Sequence, residues 1–77
     1  MVQAYVLVQT EVGSSGKVAA AFSAMTGVMS ASEVTGPYDL IVRIAADDLE
    51  SLGEFVLDRI QTVEGITRTL TCTIVHG

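Results

Sequence analysis

Apolar positions along this chain fall in short runs, and the spacing within each run predicts an element. Val2–Thr10 (VQAYVLVQT) is β-branched and apolar, with Ala4, Val6 and Val8 on one alternating face and Tyr5 and Leu7 on the other. Apolar residues on both faces predict a strand in the middle of a covered sheet. Gly13–Gly16 (GSSG) breaks it, and Ser14 or Ser15 is positioned to cap a helix through its hydroxyl. Within Lys17–Thr26, Val18, Phe22 and Met25 form a helical stripe that Gly27 stops. Val28–Thr35 reads as a more polar strand, with Gly36-Pro37 as its turn. Tyr38–Ala46 is the strongest strand, with Leu40, Val42 and Ile44 on one face and Asp39, Ile41 and Arg43 on the other.

Asp47, with Glu50 three residues on, resembles a capping box. Leu49, Leu52, Phe55, Val56, Ile60 and Val63 then predict a helix of about four turns. After Gly65, Ile66–Val75 is the last strand. The order is β-α-β-β-α-β, and its halves echo each other: Met25-Thr-Gly-Val28 and Val63-Glu-Gly-Ile66 each link a helix to a strand. Such a split βαβ repeat predicts an α+β fold, a four-stranded antiparallel sheet with both helices on one face. The other face still carries Tyr5, Leu7 and Ile41.

Composition sharpens that last point. The chain has 77 residues, of which 49% are hydrophobic and 17% charged. One domain of this size buries only a modest core, so the apolar sheet face predicts a homodimer paired through the sheets. A net charge of −5 with scattered cations argues against direct nucleic-acid binding. A single cysteine excludes an intrachain disulfide and fits a cytoplasmic protein. No apolar run reaches membrane-spanning length, and there is no leader pattern at the N-terminus.

Candidate chemistry is sparse. His76 has no neighbouring ligand for a metal, and no cofactor is expected. Cys72 shares a face with Leu70 and Ile74 and reads as a buried structural thiol. Asp47-Asp48-Leu49-Glu50 reads as a helix start, where carboxylates meet free amides. Thr67, Thr69, Thr71 and Thr73 alternate, which sets four hydroxyls on one strand face; they either serve the strand or hydrogen-bond a polar ligand. Gly36-Pro37-Tyr38-Asp39 is read two ways as well. It is a strand–turn–strand connection, or a carboxylate beside free backbone groups able to hold the charged ends of an amino acid.

The stretches VTGPYDLIVRI (Val34–Ile44) and VEGITRTLTCTIV (Val63–Val75), with the Met-Val-x-Ala-Tyr-Val-Leu opening, resemble the ligand-sensing (RAM) domain of the Lrp/AsnC family of transcriptional regulators. The likeness covers essentially the whole chain. It implies the ferredoxin-like fold, dimers assembled into octamers or other rings, and amino-acid effectors at subunit interfaces. By motif position it implies that Gly36, Tyr38 and Asp39 belong to the ligand loop, with Thr69 and Thr71 as further candidates. Pro37 departs from the polar residue many members carry there.

Typical members carry a helix-turn-helix before this domain, whereas Met1 stands here at the first strand. The expectation is a stand-alone domain over residues 1–77 that senses an amino acid and modulates a full-length regulator. One rival is a structural or regulatory subunit that binds no ligand. Another is a small ferredoxin-like enzyme, which the absence of Trp and a single terminal His disfavour.

Overall fold

A computed structural model describes residues 1–76. The elements run β1 (Val2–Thr10), α1 (Ser15–Ser23), β2 (Val28–Glu33), β3 (Leu40–Ala46), α2 (Leu49–Phe55) and β4 (Ile66–Thr73). The sheet is antiparallel throughout, in the order β2-β3-β1-β4. This is the predicted ferredoxin-like sandwich. The most apolar strands, β1 and β3, take the two central places, where each pairs on both edges.

Alternation decides what is buried. Ala4, Val6 and Val8 of β1 and Leu40, Val42 and Ile44 of β3 are fully buried beneath Val18 and Phe22 of α1 and Leu52 of α2. Tyr5, Leu7, Ile41 and Leu70 project from the opposite face, where no helix lies, and Leu70 remains 47% exposed. Cys72 stands opposite Tyr5 on that same bare face. It is therefore exposed, which corrects the expectation of a buried thiol.

The second helix changes character midway. Val56–Ile60 is a π-helical turn, closed by the Gln61 N–H donating to the Val56 carbonyl (3.0 Å). Leu52, Val56 and Ile60 recur every fourth residue, a spacing that drifts off the α-helical repeat of about 3.6. The wider turn absorbs that drift and keeps all three side chains buried.

Three local expectations are corrected. The cap of α2 is Asp48, whose carboxylate accepts the Ser51 N–H (2.8 Å); Asp47 lies outside, and Glu50 is one position too early for a capping box. Ser14 begins α1 without a side-chain cap bond, and the Ser15 hydroxyl instead donates to Glu33 Oε1 (2.9 Å). α1 stops at Ser23 because the chain tightens there, with Met25 N–H donating to the Phe22 carbonyl (3.0 Å). Among the described residues no helix is long and apolar enough to cross a membrane.

Candidate functional site

The connection from β2 to β3 is longer than the two-residue turn expected. β2 ends at Glu33 and β3 opens at Leu40, so Val34–Asp39 form an irregular loop. Pro37 has no N–H to give to a ladder, which disfavours regular pairing there. The loop is nonetheless well tied. Val34 N–H donates to the Asp39 carbonyl (2.9 Å), Asp39 N–H to the Val8 carbonyl (2.9 Å), and Gln9 Nε2 to the Pro37 carbonyl (3.2 Å).

Asp39 is the knot. Its Oδ2 accepts from both the Thr10 backbone N–H (2.8 Å) and the Thr10 hydroxyl (3.2 Å). The carboxylate thus satisfies the last backbone donor of β1, where the β1–β4 pairing shifts register. Sequence reasoning singled out Asp39 but missed Thr10 and Gln9. They lie 29 and 28 residues from their partners, and no local pattern marks them.

Gly36 and Tyr38 line a groove of about 360 Å³ together with Val34, Pro37 and, from the sheet, Leu7 and Ile41. Its walls are almost wholly apolar, and it opens on the bare sheet face. Thr69 and Thr71 lie elsewhere. Thr69 pairs with Val8 and Thr71 with Val6, residues of the helix-covered face. Thr71 and Thr73 line an apolar groove of about 380 Å³ against Leu49, Leu52 and Val56, while Thr69 borders another with Gln61. Within one chain, the loop and the threonines therefore open on opposite faces of the sheet. The threonine row is also shorter than expected. Thr67 is the extra residue at the register shift, and its hydroxyl donates to the Gln9 carbonyl (3.1 Å).

Among the described residues no three His, Cys, Asp or Glu side chains gather as metal ligands. The family model for the Lrp/AsnC ligand binding domain matches residues 3–76. The chain belongs to that family. It is 30% identical over 71 residues to the HTH-type transcriptional regulator FL11 of Pyrococcus furiosus, covering 92% of this chain and 46% of that protein. The Lrp/AsnC domain described here thus spans about half the length of the curated relative it matches. It superposes on the crystal structure of FFRP-DM1 with a TM-score of 0.93 and 35% identity, covering 97% of this chain and 100% of that one. It also shares its fold with the transcriptional regulator NMB0573 of Neisseria meningitidis, solved as a complex with L-Met (TM-score 0.86, 21% identity, 97% of this chain and 50% of that one).

Proposed function

We propose that this Lrp/AsnC domain binds a free amino acid and works as a sensing and assembly module in transcription regulation, not as an enzyme. The observation that carries the reading is the family match over residues 3–76, which includes the Gly36–Asp39 loop. The L-Met complex of a protein with the same fold supports an amino acid as the effector class. In this reading Asp39 Oδ1 takes the ligand ammonium while Oδ2 stays with Thr10, and Gly36 and Tyr38 border the ligand.

The loop and Thr69/Thr71 open on opposite faces, so a ligand touching both sits between chains. Sensing would then be tied to assembly. The apolar sheet face, with Tyr5, Leu7, Ile41 and Leu70, is the surface on which a second copy packs, and dimers build into a ring. With a net charge of −5 the domain does not hold DNA by itself, and acts in the cytoplasm through a regulator that carries a helix-turn-helix.

A thermal-shift screen of the twenty amino acids against wild type and Asp39→Ala tests this. Saturating ligand at a hundred times its Kd adds about 2.7 kcal/mol of stability. The expected result is a rise in Tm with one class of amino acid that Asp39→Ala loses. If no amino acid changes the Tm or the assembly state, the sensing reading is wrong. One observation favours a ligand-free assembly subunit instead: the Asp39 carboxylate already has a structural partner in Thr10.

A further inference from the structure

The Gly36–Asp39 loop and the threonine row open on opposite faces of the sheet, yet both are fastened to one end of β1. On the β3 side, consecutive residues hold the loop. The Val8 carbonyl accepts the Asp39 N–H (2.9 Å), Gln9 Nε2 donates to the Pro37 carbonyl (3.2 Å), and Thr10 donates to the Asp39 carboxylate through its N–H (2.8 Å) and its hydroxyl (3.2 Å). On the β4 side, the Gln9 carbonyl accepts the Thr67 hydroxyl (3.1 Å), and the Glu11 N–H donates to the Gly65 carbonyl (2.8 Å). All of these bonds lie within one chain, so none of them needs a free surface.

Gln9 takes part on both sides: its side chain holds the loop and its backbone carbonyl holds β4. It stands where the pairing of β1 and β4 slips. Gln9 faces Arg68, Thr10 faces Ile66, and Thr67 between them is the extra residue. A bulge of this kind bends the strand that carries it, increases the local twist and re-aims neighbouring side chains. Here the Thr67 hydroxyl fills the gap by bonding the Gln9 carbonyl, and the Gln9 amide reaches across 28 residues of sequence to Pro37. Both hydrogen bonds are exposed, so they open locally while the core stays folded.

We propose that Gln9 is a coupling joint between the Gly36–Asp39 loop and the threonine strand: closing the loop holds the start of β4, and releasing either one loosens the other. Its use rests on the amino-acid reading, since a ligand at the loop would thereby act on Thr69 and Thr71 of the same chain. The joint itself belongs to the chain without ligand. Its two states are the loop clasped to β1 and the loop locally open, and both sides bias that equilibrium.

Amide hydrogen exchange of the ¹⁵N-labelled full chain, followed by NMR with no amino acid present, tests this. Thr67→Val removes the hydroxyl on the β4 side. The expected result is faster exchange of the Val34 and Asp39 amides, on the far side of Gln9, by about threefold or more, near the lower end of what losing one hydrogen bond does. Val6 and Val42, in the core, should keep their wild-type rates, and Thr67→Ser should restore the loop rates. Gln9→Met keeps the side-chain length and loses the donor. In that background, adding Thr67→Val should leave the Val34 and Asp39 rates unchanged. Loop rates that stay at the wild-type value in Thr67→Val, or that rise equally with and without Gln9, overturn the proposal. Equal acceleration of the core amides overturns it too, because that reports a global loss of stability. If the rates behave as expected and no amino acid binds, the joint stands and only the sensing reading falls.

Discussion

The carboxylate of Asp39 accepts from both donors of Thr10, the backbone N–H at 2.8 Å and the hydroxyl at 3.2 Å. One side chain thereby fastens the β2–β3 loop to the end of β1. Thr10→Val keeps the shape and the backbone bond but removes the hydroxyl, and should cost about 1 kcal/mol. Asp39→Ala leaves the part-buried N–H without its acceptor and should cost about 1–3 kcal/mol. Adding Thr10→Val to Asp39→Ala should then cost almost nothing more. Urea denaturation of the two single variants and the double variant measures this coupling.

The repeated Thr-Gly-Val and Glu-Gly-Ile junctions share a backbone requirement. Gly27 and Gly65 have φ of 97° and 99°, a region where an L side chain costs about 1–2 kcal/mol. Gly65→Ala should be the more damaging of the two. Its new Cβ would stand 3.2 Å from both Ser14 Cβ and a methyl of the fully buried Val18. At Gly27 the near atom is the ring edge of Phe55, only partly buried, which has room to turn. Thermal unfolding of the two variants gives the order.

Asp48 makes a pH prediction with a definite sign. The Ser51 backbone N–H, and next its side chain, hold this carboxyl below its ordinary value of 3.8. A carboxyl that is more acidic folded than unfolded stabilises the protein above the unfolded value. That contribution is lost as pH falls through the folded one. Asp48→Asn keeps a capping oxygen but cannot ionise. The wild type should therefore have the higher Tm at neutral pH, with the gap closing well below about pH 4. A gap unchanged across that range would rule out the ionised cap as its source.

Leu70 is an apolar side chain, 47% exposed, on a face that no helix covers. If a second copy packs there, Leu70→Lys buries an unpaired charge in the interface while leaving the single-chain core untouched. Light scattering should report a fall from the wild-type assembly to monomer, with the circular dichroism spectrum retained. A wild type that is already monomeric would refute sheet pairing outright.

Much of this fold is legible in local pattern because burial on one side leaves a period in the sequence. The alternation of β1 and β3, the stripe through Val18 and Phe22, and the fourfold recurrence at Leu52, Val56 and Ile60 all name their elements directly. The motif of the Gly36–Asp39 loop was visible as well. Its real construction was not, because Asp39 spends a carboxylate oxygen on Thr10, a residue distant in sequence and ordinary in type.

The sequence by itself determined the element order, the inward faces of β1 and β3 and the glycines at the two repeat junctions, since each follows from short-range sterics and the apolar period. Only the tertiary structure decided the strand order and the register. Those two together settle that Thr69 and Thr71 lie across the sheet from the loop groove, and that Cys72 and Arg43 share the bare face. The physical reason is that pairing is chosen by cooperative burial and hydrogen bonding among all four strands at once. No single stretch encodes which neighbour it will meet.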